Sequence, residues 1–122
     1  MNHYYGVSVL KARKTDIVVI GSEAFTTAFK IIGIENVLEI KDTSRTQDLQ
    51  RKIMDLVEKG IYSVFVVEET YIHLVQDIIN ELRYSVFPIF ISLPGPNQIK
   101  IHDPKSYYLN KIKGVLGVSI EI

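Results

Sequence analysis

The stretch from Ile17 to Gly33, with the sequence IVVIGSEAFTTAFKIIG, constrains the fold more than any other part of the chain. It opens with four consecutive β-branched residues, 17–20, and such a run is typical of a parallel strand buried on both faces. Gly21 interrupts the run, Ser22 is able to cap a helix, and Gly33 is able to end one. The stretch therefore predicts a buried strand, a tight turn and a helix, the repeating unit of open α/β sheets.

The turn of this unit lacks the residues that hold a phosphate. A dinucleotide-binding turn needs three spaced glycines, and a phosphate loop needs a following Lys and a Ser or Thr. Only Gly21 is present here, although Glu23 suits the positive end of the helix. The helix itself is predicted to be amphipathic, with one apolar face formed by Phe25, Ala28, Phe29 and Ile32.

The rest of the chain continues the alternation of strands and helices. Further strands are predicted at 36–40, 64–67 and 89–93, and helices at 46–59 and 104–115, together with a third helix that places Ile72, Val75, Ile79 and Leu82 on one stripe. Strands that alternate with helices of about a dozen residues predict right-handed crossovers and a parallel sheet.

The predicted fold class is α/β, with a single small open parallel sheet of four strands in the order 2-1-3-4. Its helices cover both faces, as in a receiver domain, and a C-terminal helix follows. The first and third strands are uniformly apolar and are expected at the centre. The second strand carries Glu39 and the fourth follows Pro88, so these two are expected at the edges.

We divide the chain into an N-terminal extension, residues 1–15, and an α/β domain, residues 16–122. The extension contains Lys11, Arg13 and Lys14 and no acidic residue. Its YYGVSVL segment is compatible with an extra strand, an ordered arm or an expression-vector remnant.

Composition excludes several classes of function. The 122 residues, 47% of them apolar, suffice for one globular domain with a sizeable core. A formal net charge of +0 argues against a nucleic-acid partner. The chain has no cysteine, which excludes disulfides and thiolate metal sites. No apolar run approaches the ~20 residues of a membrane span, so direct membrane insertion is not expected.

A ligand of this fold would bind beyond the carboxyl ends of the first and third strands. The crevice there is expected to be lined by Gly21, Ser22, Glu23, Glu68 and Glu69. The two adjacent glutamates suit an enzyme that holds a divalent cation or transfers a proton. They equally suit the start of the third helix, where negative charge is favoured. We favour the second interpretation, because no convergent nucleophile, base and orienting group is visible.

A receiver domain would need acidic residues after the first strand, an acceptor Asp after the third and a Lys after a later strand. The chain has Gly21 and Ser22 at the first position, Glu68 at the second, and Ser92 and Leu93 at the third. A degenerate receiver-like signalling or protein-binding module, with Glu68 as a charged mimic, remains an alternative. The histidines, His3, His73 and His102, are too scattered to indicate a metal site. We predict no catalytic residue, no cofactor and no metal ligand.

Charged and aromatic residues near the C-terminus offer a possible contact surface. Tyr107 and Tyr108 form either an aromatic docking patch or a core residue beside a half-exposed neighbour. The last helix is basic because it carries Lys105, Lys111 and Lys113. The region of the third helix is acidic because it carries Glu68, Glu69, Asp77 and Glu81. Each charged set is either a solvated face or a directional contact surface.

Four segments resemble the F-subunit family of V-type and A-type ATPases and ATP synthases. In chain order they are VIGSEAFTTAFKIIGI (19–34), VVEETY (66–71), FPIFISLPGP (87–96) and KIKGVLGVSI (111–120). The similarity covers about residues 16 to 122. The departures are Ser22, where the family commonly has an acidic residue, and an N-terminus longer than usual.

The resemblance implies a non-catalytic component of the central stalk, the rotor, of a rotary ATPase. Such a component binds the coiled-coil shaft, which is the D subunit, and helps couple ATP hydrolysis or synthesis to ion transport. It is cytoplasmic and peripheral to the membrane through the complex. The C-terminal helix of the family is mobile and reaches toward the head subunits, which here points to residues 104–115 and the tail. The partner-binding residues expected on this basis are Tyr107, Tyr108, Lys111, Ile112, Val115 and Ile120.

Overall fold

The computed structural model describes residues 12–99, 103–116 and 120–121. Its strands are β1 (Ala12–Arg13), β2 (Ile17–Gly21), β3 (Val37–Glu39), β4 (Val64–Glu68), β5 (Ile89–Leu93) and β6 (Ile120–Glu121). Its α-helices are α1 (Glu23–Ile31), α2 (Thr46–Glu58), α3 (Gln76–Glu81) and α4 (Pro104–Leu116). Short 3₁₀ helices lie at Lys14–Asp16, Glu69–Leu74 and Pro96–Gln98. No described helix is long and apolar enough to cross a membrane.

Four strands form the main sheet, in the order β3-β2-β4-β5, and every neighbouring pair is parallel. This confirms the predicted order 2-1-3-4 and the central position of the two most apolar strands. All five residues of β2 and all five of β4 are buried, as expected of strands covered on both faces. The strands β1 and β6 form a separate two-stranded parallel sheet.

The two faces of the main sheet carry separate apolar cores. Because side chains alternate along a strand, Ile17 and Val19 point to one face and Val18 and Ile20 to the other. The first core joins the sheet to α1 and α4, through Phe25, Ala28, Phe29, Tyr108 and Ile112. The second core joins the sheet to α2, to the 3₁₀ helix Glu69–Leu74 and to α3, through Leu49, Ile53, Leu74, Val75 and Ile78. The predicted helices on both faces are therefore confirmed.

The third predicted helix is wrong as a continuous element. The chain forms a 3₁₀ helix over Glu69–Leu74 and only then the short α3. A 3₁₀ helix has three residues per turn, so it shifts the phase of the residues that follow. The buried residues are consequently Leu74, Val75 and Ile78, whereas Ile72, Ile79 and Leu82 are only partly buried.

The helices α1 and α4 begin at recognisable caps. The Ser22 hydroxyl accepts a hydrogen bond from the Phe25 amide at 3.4 Å, which confirms the predicted cap of α1. Asp103 accepts hydrogen bonds from the Ser106 amide and hydroxyl, and these bonds lower the pKa of the Asp103 carboxyl. Gly33, just after α1, has the positive φ of 96° that favours glycine.

The described part of the N-terminal extension and the adjoining Asp16 are bound by residues that directly precede β3 and β4. The Ser63 amide donates to the Asp16 carbonyl at 2.9 Å, and the Asn36 side chain donates to the Thr15 carbonyl at 3.2 Å. The Arg13 amide donates to the Asp16 carboxylate at 3.0 Å. The YYGVSVL segment lies outside the described residues, and the division of the chain at residue 15 stays a prediction.

Candidate functional site

Glu68 occupies the crevice where this fold would bind a ligand. It is the last residue of β4, and strand alternation places it on the face of Val64 and Val66, beside α1 and α4. The side chain is only 8% exposed. Its carboxylate accepts a hydrogen bond from the Ser22 amide at 2.8 Å, at the N-terminal end of α1.

Two glycines make room for this carboxylate. A Cβ atom on Gly21 would lie 2.8 Å from Oε1 and 2.9 Å from Cβ of Glu68. A Cβ atom on Gly95 would overlap Oε2 of Glu68. Gly95 has a φ of −72° and a ψ of 163°, which any residue can adopt, so only the lack of space requires glycine there. Both glycines thus permit the close approach of a side chain of the protein itself.

The carboxylate takes the position in which an anionic ligand would meet the end of α1. The N-terminus of a helix favours negative charge and offers unpaired backbone amides. Glu68 supplies the negative charge and accepts a hydrogen bond from one of those amides, that of Ser22. A phosphate entering here would meet the like charge of Glu68, which packs closely against Gly21 and Gly95. The expected crevice therefore exists as a packed contact between β2, β4 and the turn after β5.

This arrangement corrects the interpretation of Glu68, whereas Glu69 lies in the first turn of the 3₁₀ helix Glu69–Leu74, at the helix start where it was expected. Glu68 interacts with the N-terminus of α1 and not with that of the helix that follows it, whereas Glu69 is exposed. The two carboxylates therefore do not form one site. A charged mimic of an acceptor would have to be accessible, and Glu68 lies beneath Gly21 and Gly95.

The structure assembles no metal centre from the histidines and carboxylates that it describes. His73 is exposed on the 3₁₀ helix, and His3 and His102 lie outside the described residues. Within residues 12–99 and 103–116, no three His, Cys, Asp or Glu side chains come together as possible ligands.

Tyr108 forms the centre of an aromatic cluster between α4 and α1. Its ring is stacked on Phe29, with centroids 4.7 Å apart, and meets Phe25 edge-on at 5.3 Å. The side chain is 0% exposed. Such aromatic pairs contribute stabilisation beyond the area that they bury. Tyr108 is therefore a core residue that holds α4 on α1.

The hydroxyl of Tyr108 connects α4 to the turn beside Glu68. It donates a hydrogen bond to the Pro94 carbonyl at 2.8 Å, one residue before Gly95. Burial raises the pKa of the Tyr108 phenol, and the negative charge of Glu68 raises it further. The phenol is thus kept neutral and able to donate this hydrogen bond.

The other residues expected to bind a partner differ in accessibility. Tyr107 is half-buried, and the Lys111 ammonium lies 5.5 Å from the centroid of its ring. Ile112 is fully buried against the sheet and α1. The side chains of Val115 and Ile120 lie outside the described part of the structure. Among the four of these residues whose side chains are described, Tyr107 and Lys111 are accessible with α4 in this position.

The two charged sets lie mostly on the surface. Lys105, Lys111 and Lys113 are exposed along α4, and Glu69, Asp77 and Glu81 are exposed on the other face of the sheet. Glu68 does not belong to the acidic surface, because it is buried among α1, α4 and the turn after β5. The described charges are thus compatible with solvated faces.

Sequence reasoning missed an exposed apolar loop just before β5. Tyr84 is 87% exposed, Val86 77% and Phe87 39%. Ile61 is also 62% exposed, in the loop before β4, the neighbour of β5. The sequence does contain a signal for this loop, because three of the four residues in the segment YSVF (84–87) are apolar and the segment belongs to neither α3 nor β5. We call Tyr84, Val86 and Phe87 the apolar loop.

Comparison with known proteins identifies the family. Residues 17–112 match the family model described as ATP synthase (F/14-kDa) subunit. The chain belongs to this family. The match confirms the resemblance to the F-subunit family over the first three segments and reaches only the first two residues of the fourth, and it includes Glu68 with both of its glycines.

Two archaeal relatives in this family show how far the similarity extends. The A-type ATP synthase F subunit of Halobacterium salinarum is 28% identical over 81 residues, which cover 66% of this chain and 68% of the relative. The protein of the same name from Methanococcoides burtonii is 26% identical over 106 residues, covering 86% of this chain and 97% of the relative. The strands β1 and β6 lie outside the span that the family model matches.

Proposed function

We propose that this protein is a non-catalytic rotor component of an A-type or V-type rotary ATPase. Membership of the F-subunit family and the names of the two relatives support this role. The observation that carries the non-catalytic part is the crevice filled by Glu68, because a rigid closed domain suits a binding role better than chemistry. The protein is then cytoplasmic and attached to the membrane through the complex.

The partner proposed for the rotor role is the coiled-coil shaft, the D subunit of such a complex. A stable interface buries about 800 Å² on each partner and needs an accessible apolar centre. The apolar loop supplies three exposed large side chains, and it leads directly into β5 at the edge of the sheet. We assign the contact with the shaft to this loop and the adjoining edge of β5.

The helix α4 provides a second contact, with the head subunits. In the docked position it presents Tyr107 and Lys111, whereas Tyr108 and Ile112 face the core. Contacts through the two buried residues, or through Val115 and Ile120 at the end of the chain, require α4 to leave α1. Docked and released positions of α4 would then couple the rotor to the heads in different ways.

Co-expression with the shaft protein of the same organism tests the proposal. A stoichiometric complex that survives size-exclusion chromatography is expected. Replacing Tyr84→Ser together with Val86→Ser should weaken it at least tenfold, as is usual when central apolar contacts are removed. Ile31→Ser is the matched control, since Ile31 is 61% exposed at the end of α1, away from β5.

Two outcomes contradict the assignment at different levels. Failure to obtain any complex with the shaft protein, while the chain itself is folded, contradicts the rotor role. A complex that the double variant leaves unchanged, or that Ile31→Ser weakens equally, contradicts only the assignment of the surface.

A further inference from the structure

The sheet formed by β1 and β6 joins the two ends of the described chain. Ala12 is paired with Ile120 and Arg13 with Glu121, in parallel register. β6 begins four positions after Leu116, the last residue of α4. Pairing with β1 therefore limits how far the carboxyl end of α4 can lie from the beginning of the domain, to the reach of the four positions between Leu116 and Ile120.

The β1 side of this pair is firmly anchored. The 3₁₀ helix Lys14–Asp16 follows β1 directly and receives hydrogen bonds at Thr15 and Asp16 from residues of two other segments. The end of the Lys14 side chain also lies over Gly33. β1 is thus held at the start of β2, and whatever pairs with it is held there as well.

On the other side, few fully buried residues seat α4 on α1 within 104–113, the part of the helix whose side chains are described. Tyr108 and Ile112 are its two fully buried side chains among those described, and Tyr107 is half-buried beside them. A helix held by few buried side chains leaves its neighbour more often when its end is free. A tether at that end keeps the helix close to its docking surface, so the helix docks again more readily.

We propose that β1 is a latch for α4: by pairing with β6 it holds the helix on α1 and sets how often the helix leaves. Leaving α1 then requires the pairing of Ala12 and Arg13 with Ile120 and Glu121 to break as well. The pairing contributes only a few backbone hydrogen bonds, so we expect an effect of roughly tenfold on the opening equilibrium. The inference does not depend on the rotor role, since it concerns contacts within one chain.

Amide hydrogen exchange of the purified protein tests the latch. Three truncations are compared with the full chain: one lacks residues 1–13, one lacks residues 120–122, and one lacks both. Each single truncation should accelerate exchange of the amides from Tyr107 to Ile112 about tenfold, and the double truncation should add nothing further. The amides of β4, in the centre of the sheet, serve as the control for an intact fold.

Unchanged exchange in either single truncation overturns the proposal, and so do effects that multiply in the double truncation. A disulfide keeps the test decisive if a truncated chain does not fold. The chain has no cysteine, so Ala12→Cys combined with Ile120→Cys can form only the intended bond within one molecule, and the monomer is separated from any disulfide-linked dimer before exchange. The oxidised protein should exchange the α4 amides more slowly than the same protein after reduction. Equal exchange in the two states, or failure of the bond to form, overturns the latch.

Discussion

Removal of the Glu68 carboxylate is the sharpest test of how the crevice is used. In Glu68→Ala the Ser22 amide loses its partner at the end of α1. A hydrogen bond to a charged group contributes about 1.5–3 kcal/mol to stability. The substitution also removes two packed methylene groups, which lowers stability further. Part of this loss is offset, because the variant no longer has to bury a carboxylate that is only 8% exposed. We therefore expect a net loss of about 2–3 kcal/mol.

Glu68→Gln separates the charge from the shape. The amide oxygen can still accept from the Ser22 amide, but the attraction of a full charge to the end of α1 is lost. That attraction is about 1 kcal/mol at a partly buried helix terminus. For a chain of 122 residues, 1 kcal/mol corresponds to about 4 °C in melting temperature. Circular dichroism at pH 7 should thus show losses of about 4 °C for Gln and about 8–12 °C for Ala.

A double-mutant cycle with Gly95→Ala tests the close packing directly. In the natural protein the new methyl group overlaps the Glu68 carboxylate, and overpacking of this kind costs about 1–3 kcal/mol. In the Glu68→Ala background the overlap disappears, and the cost of Gly95→Ala should fall close to zero. The cycle should therefore show a coupling of at least about 1 kcal/mol.

The opposite result would refute the reasoning. A carboxylate kept for a ligand is commonly held at the expense of stability, so its removal leaves the protein equally or more stable. If Glu68→Ala melts at or above the temperature of the natural protein and shows no coupling to Gly95→Ala, the crevice is a binding site and not a packed contact.

Three further perturbations test the caps and the seat of α4. Ser22→Ala removes the cap of α1 and should cost about 1 kcal/mol in urea unfolding. Tyr108→Phe removes the hydrogen bond to Pro94 and should cost about 0.5–1.5 kcal/mol. Burial, and then the charge of Glu68, raise the pKa of Tyr108. Above pH about 10 the unfolded chain therefore releases a proton that the folded chain keeps, and the free energy of unfolding should fall as the pH rises. The fall should be less steep in Tyr108→Phe, which lacks this phenol. Gly60→Ala, at a φ of 69° in open space, should cost about 1 kcal/mol through backbone strain alone.

The sheet was predictable because its central strands are unambiguous. A run of β-branched residues such as 17–20 leaves no polar face for solvent, so it belongs in the middle of a parallel sheet. Gly and Ser placed directly after it marked the turn and the cap correctly. The orientation of Glu68 was also within reach, since alternation along β4 puts it on the face of Val64 and Val66.

Features that depend on contacts distant in sequence were not predictable. The partner turn of Glu68 contains Gly95, and nothing local indicates that the two meet. Adjacent tyrosines in α4 look alike in the sequence, and only the packing of the helix on Phe25 and Phe29 buries Tyr108 and leaves Tyr107 half-exposed. The change from a 3₁₀ helix to an α-helix at the start of α3 was not predictable, because the spacing of apolar residues does not distinguish the two kinds of helix over one turn.

The turn after β5 links the filled crevice to the seat of α4. Gly95 packs against the Glu68 carboxylate, and the carbonyl of the preceding Pro94 accepts the hydrogen bond from Tyr108. In this structure the crevice holds the Glu68 carboxylate directly against the turn. Filling it with Glu68 fixes the turn, and with it the acceptor that α4 needs in order to dock. The same turn thus holds both the buried Glu68 carboxylate and the last helix, so the position of α4 is tied to the packing of the crevice.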